Sequence, residues 1–246
     1  MQITFVGCGD AMGSGGRFNT CFHIAGDAPP FLIDCGATSL VALKRAGIDR
    51  EAIRTIFVTH FHADHFMGLP FFVLDAQQLL KRKKPLTIVG PEGLSAQFGT
   101  AMRAAFQSSA TADRGFEIRL EEIAPETPRK VNGVRVTATR VRHGKDANGP
   151  FLGYRFEQGG RTLAYTGDTE WTEALIGLGR DADLLICECS FLKPQGRFHL
   201  DAETLRQNLP RAGAKRVILT HMGEEVLAER AGIGFETAED GMTLTL

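Results

Sequence analysis

Four potential metal ligands fall within six residues, in the segment HFHADH at residues 60–65. Imidazole nitrogen and carboxylate oxygen bind divalent ions such as zinc at about 2.0–2.2 Å. The chain holds only seven histidines, so three in six residues is improbable as decoration of a polar loop. An apolar strand precedes the segment, so His60 and His62 can point at one metal, while Asp64 and His65 begin a helix and can turn toward a second. The segment therefore predicts a metal centre.

Further candidate ligands stand where strands are predicted to end. His143 follows VRVTATRVR, His221 follows RVILT, Asp168 lies in a TGD turn, and His199 lies in a loop before a helix. Ligands collect at strand ends in open α/β sheets. Taken singly, each could be a polar residue bonded to the backbone, and His23, inside a predicted strand, is expected to have no metal role. Together with residues 60–65, the strand-end residues favour a metal site.

Short β-rich runs alternate with helical stretches, which predicts an α/β fold with helices covering the faces of sheets. The predicted strands are Ile3–Val6, Cys21–Ile24, Phe31–Asp34, Thr55–Thr59, Leu86–Val89, Val131–Val141, Phe151–Phe156, Leu163–Thr166, Leu184–Cys187, Arg216–Thr220 and Met242–Leu246. The predicted helices are Ser39–Ala46, Phe66–Lys83, Gly93–Ser108, Thr172–Leu178, Ala202–Ala212 and Glu224–Ala231.

Two pairs of segments suggest that the chain consists of similar halves. TIFVTH at 55–60 resembles RVILTH at 216–221, and FLIDCGAT at 31–38 resembles TLAYTGDT at 162–169. No linker rich in Pro, Gly or Ser divides the chain, and the mixed stretch at 108–130 could join the halves. We therefore predict one domain, residues 1–246, made of two similar β/α halves.

The composition narrows the classes of partner. With 28 basic and 29 acidic residues the net charge is −1, which provides no general attraction for nucleic acid. Five cysteines without a C-x-x-C pair indicate a reducing compartment. The start MQITFVGCGD has no basic n-region, and no apolar run reaches the roughly 18 residues of a membrane helix. These features predict a cytoplasmic protein with no membrane partner.

The order of the motifs resembles the metallo-β-lactamase superfamily: H-x-H-x-D-H, a distant His, an Asp in a T-G-D turn and a final His after Thr. The resemblance runs from the first strand to His221 and implies a four-layer αβ/βα sandwich with two divalent metal ions at one edge. The metal is expected to be zinc, with manganese or iron as alternatives. The implied ligands are His60, His62 and His143 for one metal, Asp64, His65 and His221 for the other, and Asp168 as the bridge.

Three more segments resemble the branch that contains ribonuclease Z and cyclic phosphodiesterases. GCGDAMG at 7–13 is similar to its glycine loop, with Cys8 in place of Thr, ECSF at 188–191 is similar to its E-A/C-T/S-F turn, and HLDAE at 199–203 is similar to its histidine block. Each also has a local explanation: a tight turn, a carboxylate that orients a ligand, and a helix start capped by Asp201.

The resemblance to this branch implies a phosphodiesterase with two catalytic residues. A hydroxide between the metals would be the nucleophile, because metal binding lowers the pKa of water from 15.7 to about 7. Asp64 would be both a ligand and a candidate base, and His199 would donate a proton or a hydrogen bond where charge develops.

The sequence departs from ribonuclease Z in lacking a long Gly/Pro- and Lys-rich arm for tRNA. Its one basic run, KRKK at 81–84, is predicted to be a solvated helix C-terminus, with phosphate binding as the alternative. A small or cyclic phosphodiester is therefore the favoured substrate, and RNA 3′-end processing is an alternative. A hydrolase of esters, lactones or thioesters would leave His199 without a role. An iron-dependent redox protein and a metal-free module are less favoured, and a homodimer is the commonest assembly.

Overall fold

The computed structural model describes residues 1–110, 112–145, 151–195 and 198–246. The strands are β1 (Gln2–Gly7), β2 (Cys21–Ala25), β3 (Phe31–Ile33), β4 (Thr55–Phe57), β5 (Leu86–Gly90), β6 (Ile118–Glu122), β7 (Arg129–Val131), β8 (Val134–Arg140), β9 (Leu152–Gln158), β10 (Arg161–Tyr165), β11 (Leu184–Glu188), β12 (Val217–Thr220), β13 (Glu236–Thr237) and β14 (Thr243–Thr245). The α-helices are α1 (Ser39–Arg45), α2 (Ala63–Phe66), α3 (Leu69–Gln78), α4 (Leu94–Ala105), α5 (Ala174–Gly179), α6 (Ala202–Asn208) and α7 (Glu224–Ala228).

The strands form two seven-stranded sheets with matching topology. The first has the order β14-β1-β2-β3-β4-β5-β6 and the second has the order β13-β12-β11-β10-β9-β8-β7. In both, an antiparallel meander of three strands (β1–β3 or β8–β10) continues into parallel strands (β4–β6 or β11–β13). The prediction of two similar halves is therefore confirmed.

The two sequence echoes differ in what they correspond to in the fold. FLIDCGAT and TLAYTGDT contain β3 and β10, which occupy equivalent places in the two sheets. TIFVTH and RVILTH contain β4 and β12, whereas the counterpart of β4 in the second sheet is β11. Only the first echo therefore reflects the repeated topology, and the second reflects two strands that each end near a histidine.

Aromatic side chains fill the space between the sheets. The ring of Phe57 lies 4.9 Å from that of Phe156 in the opposite sheet, and the ring of Phe22 lies 5.1 Å from that of Tyr165. The outer face of the first sheet packs against α1, α3 and α4, and that of the second packs against α5 and α6. The four layers predicted for the α/β sandwich are confirmed.

The prediction of one helix over Phe66–Lys83 is wrong. The helix is interrupted at Gly68, which separates α2 from α3. Gly68 lies so close to the turn after β3 that a Cβ atom there would be 2.1 Å from the carbonyl oxygen of Gly36. Its N–H donates to the carbonyl of Cys35. This contact places α2, which carries part of the ligand cluster, directly against the end of β3.

The single strand predicted over Val131–Val141 is also wrong. Asn132 and Gly133 have φ of 45° and 94° and form the tight turn of a hairpin between β7 and β8. An Asn-Gly pair is a strong hairpin signal, since both positions need positive φ. The mixed stretch at 108–130 contains β6, which adds a strand to the edge of the first sheet and which the sequence pattern did not predict.

The basic run at 81–84 is not a solvated helix C-terminus. Helix α3 ends at Gln78, and Arg82 is only 1% exposed. The guanidinium of Arg82 donates to backbone carbonyls, those of Arg50, Glu51, Ile53, Lys84 and Pro85. Arg82 therefore ties together the loops that enter β4 and β5. Among the described residues, no helix is both long and apolar enough to cross a membrane.

Candidate metal centre

The predicted ligands meet at one edge of the sandwich because they follow strands whose ends share that edge. His60 lies just beyond β4, His62 immediately precedes α2, and Asp64 and His65 lie in the first turn of α2. From the second sheet, His143 follows β8, Asp168 follows β10, and His221 follows β12. Positive φ at His221 (55°) and at Gly167 (60°) turns the chain sharply at two of these strand ends.

His60, His62 and His143 form the first group. Their ligating nitrogens lie within 4.8 Å of one another. Nε2 of His143 is 3.0 Å from Nδ1 of His62. Nδ1 of His143 is 2.7 Å from the carbonyl oxygen of Phe198. That backbone contact fixes the ring so that Nε2 faces the other histidines. The arrangement suits a metal bound by three imidazoles.

The second group consists of Asp64, His65, Asp168 and His221, whose ligating atoms also lie within 4.8 Å of one another. Nε2 of His221 is 3.1 Å from Oδ2 of Asp64 and 3.4 Å from Oδ2 of Asp168. Nε2 of His65 is 3.3 Å from each of the same two oxygens. Oδ2 of Asp168 is also 3.6 Å from Nε2 of His143 in the first group. Asp168 therefore stands between the two groups, as a bridging carboxylate would.

Three buried polar atoms of the cluster have no hydrogen-bond partner among the described residues. They are Nε2 of His60, Nε2 of His65 and Oδ1 of Asp168. Such atoms are costly to bury, and each one in a native structure needs a partner. All three belong to imidazole or carboxylate groups, which are usual ligands of zinc. The residues present therefore fit a pair of divalent ions.

The carboxylates make the second group attractive to cations. Burial alone would favour the neutral ring of His221, but Asp168 and the hydrogen bond to Asp64 raise its pKa to about 9. Burial also opposes charge on His65, yet Asp168 and its neighbours raise that pKa well above the ordinary value. In contrast, burial and the adjacent His65 lower the pKa of His60. A metal bound in this group would replace the protons on His65 and His221.

Two residues that orient the ligands were not predicted from the sequence. Asp34, at the end of β3, is fully buried, and its Oδ2 lies 2.7 Å from Nδ1 of His65. Oγ1 of Thr59 lies 2.9 Å from the same carboxylate oxygen and 3.0 Å from Nδ1 of His60. The available signal was the echo between FLIDCGAT and TLAYTGDT, because it aligns Asp34 with Tyr165, at the end of the strand that leads to Asp168.

His199 lies at the side of the cluster and does not complete either group. Its Nδ1 is 3.0 Å from Oε1 of the buried Glu188, and its ring is stacked on that of His221 at 5.5 Å. Burial alone would lower the pKa of His199, but Glu188 raises it above its ordinary value. This favours a protonated ring. Glu188 is thus placed to orient His199, one of the roles considered for it from the sequence.

A cavity of about 390 Å³ opens beside His199 and His221. The glycine-rich loop forms one wall, and Asp10 holds it by accepting hydrogen bonds from the backbone N–H of Met12 and Ser14. Other lining residues are Ala11, Ser190, Phe191, Gly223 and Glu224. The loop that resembles the glycine loop of the phosphodiesterase branch therefore borders the space next to the candidate metals.

Fold and site together define a metal-dependent hydrolase of the metallo-β-lactamase superfamily, in its ribonuclease Z-like branch. Among solved structures the chain resembles the metallo-β-lactamase fold protein YhfI from Bacillus subtilis, with a TM-score of 0.80 and 22% identity over 99% of this chain and 98% of that one. It also resembles the short form of human tRNase Z, with a TM-score of 0.79 and 24% identity over 100% and 99%. A diphosphatase of the PhnP family matches with a TM-score of 0.78 and 20% identity over 100% and 97%.

Sequence relatives place the chain more narrowly. The ribonuclease Z of Geobacillus kaustophilus is 28% identical over 285 residues, covering 94% of this chain and 91% of the relative. That of Methanosarcina acetivorans is 26% identical over 276 residues, covering 90% and 87%. The family described as anti-Pycsar protein Apyc1 matches residues 1–239, and this chain belongs to that family.

Proposed function

We propose that the protein is a binuclear phosphodiesterase acting on a small or cyclic phosphodiester. The observation that carries the proposal is the position of His199. Its Nδ1 is occupied by Glu188, which leaves Nε2 for a substrate, and a ring nitrogen lies within 4.8 Å of ligating atoms of His143 and Asp168. A hydrolase that needed only the metals would have no role for this oriented histidine.

The residues that would hold the metals are the two groups described above, with Asp168 between them. When bound, two such ions polarise a phosphoryl oxygen and lower the pKa of water, which prepares a nucleophile at neutral pH. Asp64 would be a ligand and would accept a proton near the nucleophile. Zinc suits the mixed imidazole and carboxylate set, and manganese or iron would suit it too.

His199 would act on the side of the phosphate where negative charge develops. A proton donor placed there contributes about 10²–10⁴-fold to the rate of this kind of reaction. Glu188 supports the role because it holds Nδ1 and raises the pKa of the ring. Ester, lactone and thioester hydrolysis on the same ligands remains the alternative, and it predicts an activity indifferent to His199.

Two observations favour a small substrate over RNA. The alignment with the Geobacillus enzyme spans 285 positions but uses 94% of a 246-residue chain, so the relative carries residues in that span that this chain does not have. The net charge of −1 also provides little attraction for a polyanion. RNA 3′-end processing is the second candidate, and the naming of the relatives as ribonuclease Z favours it.

The test compares kcat/KM of the metal-loaded protein on four substrates. These are a 3′,5′-cyclic nucleotide, bis-p-nitrophenyl phosphate, a precursor tRNA with a 3′ trailer, and p-nitrophenyl acetate. We expect the cyclic or simple diester to be hydrolysed best. Efficient cleavage of the precursor tRNA alone would favour the RNA alternative, and activity on the acetate alone would contradict a phosphodiesterase.

A further inference from the structure

Ser190 lies between two histidines that belong to different parts of the site. Its Oγ is 3.2 Å from Nδ1 of His221 and 3.1 Å from Nδ1 of His199. The same oxygen is 2.9 Å from Oε2 of Glu188. One hydroxyl therefore contacts a candidate metal ligand, a candidate proton donor and a fully buried carboxylate.

The hydrogen bonds around Ser190 have a consistent set of donors. If Nε2 of His221 binds a metal, the ring carries its proton on Nδ1, and that N–H needs an acceptor. Oγ of Ser190 is within reach, and its own proton can go to Oε2 of Glu188, its shortest contact. The N–H at Nδ1 of His199 donates to the other carboxylate oxygen.

The first half of the molecule contains the same arrangement. There the hydroxyl of Thr59 lies 3.0 Å from Nδ1 of His60 and 2.9 Å from Oδ2 of the buried Asp34. In both halves a hydroxyl thus stands between the outer nitrogen of a histidine and a buried carboxylate. The repetition at two strand ends indicates a function in holding the ligands.

We infer that Ser190 is a positioning residue that fixes His221 with Nε2 toward the metal and links it, through Glu188, to His199. Glu188 also accepts the backbone N–H of Thr169 at 2.7 Å, next to Asp168. Glu188 and Ser190 therefore hold three parts of the site together: the turn that carries Asp168, the ring of His221 and the ring of His199. Only the part concerning His199 rests on the proposed phosphodiesterase function.

The experiment is a zinc titration against a competing chelator with wild type, Ser190→Ala and Ser190→Thr. Ser95→Ala, at an exposed position of α4, is the matched control. We expect Ser190→Ala to lower the affinity for one of the two zinc ions about 10–100-fold, the usual cost of losing a group that orients a ligand. The affinity for the other ion should be unchanged. Ser190→Thr keeps the hydroxyl and should restore the affinity.

Two results would overturn the inference. One is wild-type affinity for both ions in Ser190→Ala. The other comes from long-range ¹H–¹⁵N correlation spectra of the zinc-loaded wild type, if they place the ring proton of His221 on Nε2. These spectra need no variant, so they decide the matter even if Ser190→Ala does not fold. Because neither readout involves turnover, a wild type that hydrolyses no diester would refute the proposed function without affecting this test.

Discussion

Nδ1 of His65 lies 2.7 Å from Oδ2 of Asp34, and both side chains are completely buried. The contact fixes the tautomer of His65, because Nδ1 carries the proton that the carboxylate accepts. Nε2 then faces Asp64 and Asp168, 3.3 Å from each. A residue just beyond β3 that belongs to neither ligand group thereby determines how a candidate ligand on α2 is oriented.

Asp34→Asn is therefore expected to weaken metal binding about 10–100-fold. Asp34 accepts from the N–H and hydroxyl of Thr59 as well as from His65, and an amide cannot accept on both sides. Chelator competition measures the affinity. Asp181→Asn, in an exposed turn, is the matched control. Equal affinity in the wild type and Asp34→Asn would show that the contact does not orient the ligand.

Removing the metals should destabilise the whole sandwich. The candidate ligands come from both sheets, so ions bound there would favour the folded state and hold its halves together. Free metal at about 100 times its dissociation constant stabilises a protein by about 2.7 kcal/mol, and each kcal/mol shifts the Tm of a chain of this size by roughly 2–4 °C. Calorimetry before and after chelation should show a fall of roughly 5–10 °C for each ion removed, and zinc should reverse it. An unchanged Tm would count against a preformed site.

The effect of His199→Ala should depend on the leaving group. An alkoxide leaves poorly without a proton, whereas p-nitrophenolate leaves without help. We expect kcat to fall about 10²–10⁴-fold for a cyclic nucleotide and much less for bis-p-nitrophenyl phosphate. The control is His23→Gln in β2, a histidine that belongs to neither ligand group of the described residues. An equal loss on both substrates would mean that His199 stabilises a non-bridging oxygen and does not protonate the leaving group.

The sequence predicts those site residues that can be recognised from their immediate neighbours in the chain. HFHADH is contiguous, and His143, Asp168 and His221 each follow an apolar strand, so the pattern sufficed to nominate them. Asp34 and Thr59 also follow strands, but their contacts join residues 25 and 31 positions apart. Such pairings depend on which strands become neighbours in the sheet, and the local pattern of residues does not show that order.

The fold likewise has features that the sequence pattern predicted and features that depend on contacts between distant residues. The helix-covered sheets followed from the alternation of strands and helices, the two halves from the echo at β3 and β10, and the four layers from the resemblance to the metallo-β-lactamase superfamily. The break at Gly68 did not, because it depends on a close approach to the turn at Gly36. The burial of Arg82 was also unpredicted, since a basic run is normally a solvated surface and its acceptors lie on another loop.

Arg82→Met should destabilise the fold by more than about 3 kcal/mol, because several buried carbonyls lose their donor at about 1–3 kcal/mol each. The control is Lys83→Met, at the exposed neighbouring position, which should be within about 0.5 kcal/mol of wild type. Urea unfolding measures both. Zinc stoichiometry should be unchanged in folded Arg82→Met. A variant as stable as the control but weaker toward substrate would instead make the basic run a phosphate site.

The proposed phosphodiesterase depends on a pair of metals with Asp168 between them. Elemental mass spectrometry measures the metal content of the protein after it has been reconstituted with zinc and the excess has been removed. We expect about two ions per chain in the wild type and fewer in Asp168→Ala, whose carboxylate lies 3.3–3.6 Å from ring nitrogens of both groups. No bound metal in the reconstituted wild type would show that these residues do not form a metal centre.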